Sequence, residues 1–232
     1  MGVPVTAVDP SLPTVTAPPS PASTAFSPES SFVDELDRQI TSYVQLGIPE
    51  LLQIDEPTFR ARLASLGAET PGPTESVVDG DAVPFVLVVP GLDVNDLAPA
   101  MRRGSKLGVS VIDRDEAPTY KAIVDVPAGP YLLWGVDTGS EFCNITPETA
   151  LATITSRGRT PLTIDEGVAL TIVRPDMLRP NKCFSLMGSR TGTNQRVPAV
   201  WISERRAKLG WCWDRNPHTW LGAASAAGRH GL

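Results

Sequence analysis

The residues whose types and spacing could do chemistry gather between Cys183 and Gly222, a stretch holding four of the five tryptophans, two of the three cysteines and one of the two histidines. Cys212 and His218 are the pair a cysteine-dependent hydrolase or transferase would need: a thiolate nucleophile and an imidazole base, with Asn216 or Asp214 to orient the ring. The plainer account is a buried thiol and a turn histidine. Cysteine is among the residue types most often buried, and no known signature surrounds this pair. A metal would have to draw on Cys143, Cys183, Cys212 and His218, yet structural zinc usually brings closely spaced ligand pairs and this chain has none. Neither a metal nor a cofactor is therefore expected.

A ligand surface is the stronger candidate. Asn216-Pro217-His218-Thr219-Trp220 packs an amide, an imidazole, a hydroxyl and an indole into one turn, where rigid loops commonly display function. Arg190 and Arg196 flank a Gly-rich segment nearby. If that segment folds over the turn, Arg190, Arg196, Asn216, His218 and Trp220 form an aromatic wall with guanidinium groups, suited to a small anionic or peptide-like ligand. The competing use of Trp201, Trp211, Trp213 and Trp220 is to fill the core, and burial statistics favour it. Two further motifs are weak. Asp165 and Glu166 look like paired carboxylates, but adjacent helical residues do not share a face, and Glu166 sits where it would close a capping box with Thr163. The basic loop Arg103-Gly104-Ser105-Lys106-Leu107-Gly108 lacks the spacing of a phosphate-binding loop and reads as a surface turn.

Elements to position these groups can be read from periodicity. Ser31 caps a helix with Phe32, Leu36, Ile40, Tyr43 and Val44 on one stripe, ended by Gly47; Asp55-Glu56-Pro57 starts another, with Phe59, Leu63 and Leu66 inward and Gly67 as its stop. Residues 31–67 thus read as a helical hairpin. Pro84 to Val89 is a buried central strand, Asp93 to Arg103 a short helix limited by Pro99, and Ile123–Val126 and Tyr131–Val136 two more strands. Helices start at Thr146-Pro147-Glu148 and at the capping box Thr163-Ile164-Asp165-Glu166. Cys183–Met187, Val197–Ser203 and Lys208–Trp213 read as an antiparallel meander in which Cys212 could face inward against Cys183 on a neighbouring strand, or the tryptophans could face in instead.

Composition bounds the class. Hydrophobic residues make up 41% of the chain with no run near the roughly 18 residues of a membrane helix, so no membrane association is expected. Three cysteines without close pairs do not suggest a disulfide framework, and the N-terminus lacks a secretory pattern, which points to the cytoplasm. Charge is lopsided: residues 1–100 carry 3 Arg and 14 acids, the rest 17 Lys or Arg and 12 acids. An acidic hairpin matched to a basic body accounts for this. Since no Lys/Arg run exceeds two residues, nucleic acid is not expected as a partner.

The segments RTPLTIDEGVAL (159–170), NKCFSLMGSR (181–190), RVPAVWIS (196–203) and KLGWCWDRNPHTWLGAASA (208–226) resemble an uncharacterised actinobacterial domain-of-unknown-function family, and FVDELDRQI with GIPELLQIDEPTFRARLASLG is similar to its opening helices. The resemblance implies a soluble bacterial protein without an assigned activity. The expected architecture is α+β: a disordered Pro-rich tail (1–30), the hairpin (31–67), a linker (68–83) and a main domain (84–232) with a mixed or antiparallel sheet and packed helices. The function expected is non-enzymatic binding or scaffolding through the C-terminal surface. The alternatives are the Cys212/His218 enzyme and an assembly module, a homo-oligomer built through the hairpin's apolar stripe.

Overall fold

The computed structural model describes residues 25–67 and 80–231. Most of the Pro-rich start (1–24) and of the expected linker (68–79) lie outside the described residues. Three helices come first: α1 (Phe32–Gln45), α2 (Ile48–Leu51) and α3 (Glu56–Ser65). Ser31 and Asp55 cap α1 and α3 by accepting the N–H groups of Asp34 and Thr58, as their sequences dictate. Gly47, at φ 73°, turns the chain through the left-handed region that ends α1, and the single turn α2 fills the joint.

After these the chain runs through β1 (Ala82–Val88), α4 (Val94–Leu97), β2 (Val109–Ser110), β3 (Lys121–Ala122), β4 (Tyr131–Asp137), α5 (Pro147–Ser156), β5 (Thr160–Pro161), α6 (Ile164–Val173), β6 (Cys183–Ser185), β7 (Ser189–Arg190), β8 (Arg196–Ser203), β9 (Arg206–Trp213), β10 (Leu221–Ala223), β11 (Ser225–Ala226) and β12 (Gly228–Gly231). One sheet runs β1-β4-β11-β5, with β12 also on β4, and is antiparallel. A second, mixed sheet runs β10-β6-β8-β9-β2, parallel at both ends and antiparallel at its centre. A small ribbon joins β3 to β7. The architecture is α+β.

Helix α6 lies between the two sheets, packing on both β1 and β8. Every one of its residues except Asp165 is buried, which is why IDEGVALTIV is apolar nearly all round instead of striped. Gly167 is required there: a Cβ would overlap the Leu186 side chain. The core continues through Val86, Leu87, Leu132, Leu133, Phe184 and Val200, and takes in Leu36, Ile40, Tyr43, Phe59 and Leu63 of the N-terminal helices. Each such side chain contributes roughly 1.5–3 kcal/mol of burial. The apolar stripe that the sequence offered to a second chain is covered by this chain's own β1 and α6.

Several expectations change. The tryptophans do not fill the core. Trp134, Trp201, Trp211 and Trp220 are partly buried on its surface and Trp213 is 47% exposed, because the interior between α6 and the sheets is closed by aliphatic side chains. Ile123–Val126 is not a strand: after Lys121–Ala122 a last backbone bond from the Ile123 N–H to the Gly188 carbonyl ends the pairing, and Asp125 and Pro127 lead into a loop that leaves Ile123 and Val126 exposed. Cys183 and Cys212 are not on neighbouring strands, since β8 lies between β6 and β9. Nor do the acidic helices pair with the basic body as a set. Glu35 and Glu56 hold Arg38 and Arg60 of the same helices, and pairs that bridge the two halves among the described residues include Arg114–Asp96 and Arg179 and Lys182 with Asp81.

Candidate functional site

A cleft of about 310 Å³ opens at the N-terminus of α6, between the Pro90–Val94 loop, the Ala117–Ala122 turn and the Val126–Pro127 loop. Its position follows from the capping box. Thr163 Oγ accepts the Glu166 N–H while Glu166 Oε2 accepts the Thr163 N–H at 2.7 Å, so Glu166 turns back into the protein. There its carboxylate takes two hydrogen bonds from Arg229, at 2.6 and 2.8 Å, and one from the Tyr131 hydroxyl at 2.8 Å. One residue earlier, about 100° around the helix, Asp165 points the other way, into the cleft.

Asp165 therefore differs from its neighbour in every respect. Among the described residues it has no ion-pair partner and its carboxyl takes a hydrogen bond from no other residue, whereas Glu166 is neutralised in place. Its carboxyl is pushed up to about 6, first by loss of surrounding water, then by the charges of Glu166 and Asp93. It nonetheless keeps an accessible face. Both hold because that face opens into a concave, proline-lined space, where a small molecule can reach the carboxyl but bulk water surrounds it poorly. Asp93, which caps α4 by accepting the Asn95 N–H, is the second carboxylate of the lining, and Lys121 is its one cation.

Arg196 reaches this cleft indirectly. The Tyr120 hydroxyl, on the cleft wall, donates to Glu116 Oε1 at 3.1 Å, and the same oxygen accepts from Arg196 Nη1 at 2.7 Å. The Arg196 guanidinium in turn stacks 3.9 Å from the Trp211 ring. Arg190 lies opposite Lys121 in the β3–β7 ribbon that forms the wall, and donates to Asp214 at 3.0 Å. Ser189, next to it, accepts the Ile164 N–H and so ties the ribbon to the start of α6.

Asn216, His218 and Trp220 sit elsewhere. Asn216 and His218 line a hollow with Pro147, Ser185 and Leu221 that has no room for a water molecule. The His218 carbonyl accepts the Asn144 N–H at 2.7 Å and the Asp214 carbonyl accepts the Glu148 N–H, so this turn clamps the start of α5. The His218 ring lies 5.2 Å from Trp220, which leans on Trp201. Cys212 is buried at the end of β9, and burial pushes its thiol up to about 12. Among the described residues, no cluster of three or more His, Cys, Asp or Glu side chains is placed to hold a metal, and no helix is long and apolar enough to cross a membrane.

Asp93, Tyr120, Lys121 and Tyr131 were not singled out by the sequence. Only the Asp165-Glu166 pair carried a visible signal, and it points both ways along the helix. No curated protein and no solved structure matches the chain. Residues 42–232 match a family of unknown function (DUF5701), and by that match the chain belongs to this family.

Proposed function

We propose that the protein is a cytoplasmic, non-enzymatic binding protein and that the cleft at the start of α6 receives a small molecule with a cationic, amine-type group. One observation carries this: Asp165, with Asp93 beside it, presents a carboxylate without a counter-ion to a cleft otherwise lined by Pro90, Leu92, Pro118, Tyr120, Pro127 and Tyr131. Apolar walls with a few convergent polar groups are what small-ligand sites have in common. The exposed Ile123 and Val126 at the loop beside it supply further apolar surface. With Asp93, Asp165 and Lys121 ionised the lining carries one net negative charge, which favours a cation. Arg190 and Arg196 belong to this reading as the outer wall, acting through Asp214 and the Glu116–Tyr120 pair. The three free thiols support a reducing compartment. The thiol-based reading finds less support, since a protonated, buried Cys212 is a poor nucleophile.

Calorimetric titration with tyramine and cadaverine, against their uncharged hydroxyl analogues, tests the assignment. Binding of the amines, lost on Asp165→Asn and weakened below pH 6, is the expected result. Equal affinity of the Asp165→Asn protein, or preference for the neutral analogues, overturns it.

A further inference from the structure

Two basic motifs, each too short to signify anything by itself, are brought together by the β2–β9 pairing. The hairpin Arg103–Lys106 lies against the β8–β9 turn, where Lys106 Nζ donates to the Glu204 carbonyl at 2.9 Å and Val109 stands opposite Lys208. The two segments so brought together carry six cations, Arg102, Arg103, Lys106, Arg205, Arg206 and Lys208, and a single acid, Glu204. Elsewhere arginines are mostly consumed: Arg157, Arg174, Arg179, Arg190, Arg215 and Arg229 each hold a carboxylate. None of the six cations of this surface, by contrast, has an acidic partner among the described residues. Two of them, Arg102 and Arg206, also keep a buried Nε without any hydrogen-bond partner. The turn itself is held in an uncommon shape, with Glu204 at φ 54° and Arg205 at 63°, both in the left-handed region without a glycine. This presents Arg205, an exposed residue, at the tip.

We infer that this surface binds a nucleic-acid backbone through its phosphates, without reading bases. Four of the six cations are arginines, whose planar forks match phosphate oxygens. The surface is built from two neighbouring turns, Arg103–Lys106 and Ser203–Arg206. An acidic protein segment would need apolar anchors to hold it. Here the loops expose only Leu107. A phosphodiester chain offers repeated charge and needs no anchor. The net charge of −6 on the whole chain confines this attraction to the patch.

The test is fluorescence anisotropy of fluorescein-labelled random-sequence duplex and single-stranded DNA and RNA, titrated with the full chain at salt from about 50 to about 200 mM. Binding to the duplex should weaken steeply with salt. In Arg103→Ala/Lys106→Ala/Arg205→Ala the log-log slope should be shallower by about 0.9 for each phosphate contact removed, with affinity at least about tenfold lower at the low-salt end. Arg205→Glu, which disturbs no hydrogen bond, should weaken binding in the same direction while leaving the thermal midpoint unchanged. Arg62→Ala, an exposed cation on α3, should bind as the unaltered protein does. Equal affinity of the triple variant and the unaltered chain overturns the inference. So does capture of a fluorescein-labelled polyglutamate peptide by a protein that ignores every oligonucleotide, which would reassign the surface to an acidic protein partner.

Discussion

Gln39 of α1 treats Leu87 of β1 as a neighbouring strand would: its carboxamide oxygen accepts the Leu87 N–H at 2.7 Å while its nitrogen donates to the Phe85 carbonyl at 3.2 Å. Tyr43, one turn on, donates to the Leu87 carbonyl at 2.8 Å. Strand β1 is an edge of its sheet, and an edge leaves a row of backbone groups that must find partners if buried. Helix α1 supplies them with side chains. The helical segment is therefore locked to the sheet by polar geometry as well as by its apolar stripe.

Replacing Gln39 by Leu keeps the volume but strands two buried backbone groups. The expected loss is about 2–4 kcal/mol of unfolding free energy, measured by urea denaturation. A loss under about 1 kcal/mol would mean that the helix docks by apolar burial alone.

Arg229 and Glu166 set a second, larger dependence. Arg229→Met removes the cation that, among the described residues, pairs with a carboxylate that has no solvent exposure, and the expected cost is about 3–5 kcal/mol. Glu166→Gln added to it should recover part of that cost, since a buried amide is less demanding than an unpaired charge. A double-mutant cycle in denaturant midpoints measures the coupling, and additive effects would count against the pair acting as a unit.

How far the sequence anticipates this arrangement depends on how local the cause is. The Ser31, Asp55, Thr146 and Thr163 caps were legible because a cap is a contact across three residues. Gly47 as a stop was legible for the same reason. The site was not, because Asp165 owes its character first to the loss of surrounding water in a cleft whose walls, among them Pro90, Tyr120 and Pro127, lie far off in the sequence, and only then to the charges of Glu166 and Asp93. Ile123 and Val126 look like strand residues by composition; without an open sheet edge beside them they become part of the rim. The tryptophans misled because a large apolar side chain is as much at home covering a core as filling it, and only the packing of α6 between the sheets decides which.

Thiol reactivity separates the cysteines. Cys212 and Cys183 are buried and Cys143 is partly exposed, and burial raises all three thiols, Cys212 to about 12. Iodoacetamide at neutral pH should label Cys143 first and Cys212 last in the folded protein, read by peptide mass mapping after timed quenching. Preferential labelling of Cys212 would instead mark an activated thiolate and revive the Cys212/His218 chemistry.

Asp165 should leave a signature in the pH dependence of stability, with a sign opposite to that of an ordinary surface carboxylate. Its folded value, about 6, lies above the unfolded value of 3.8, so between those pH values the folded state binds more protons than the unfolded one. Stability contributed at this position is greatest below about pH 4 and falls as pH rises through about 6, after which it is constant. Against their burial, Asp81 is shifted the other way by the Ser140 hydroxyl and then Arg179, and Asp176 by Arg174; their contributions fall as pH drops, so the bare protein shows a sum of opposing trends. Subtracting the curve of Asp165→Asn isolates the site. The variant should gain on the unaltered chain across pH 4–6 and hold a constant advantage above it, measured by thermal midpoints in a series of buffers at fixed ionic strength. A saturating amine that pairs with the ionised carboxylate should reverse that advantage at neutral pH, because the variant has lost the charge the ligand needs. A flat difference between the two proteins from pH 4 to 7 would mean that the cleft does not strip water from Asp165, and the cation site would lose its basis.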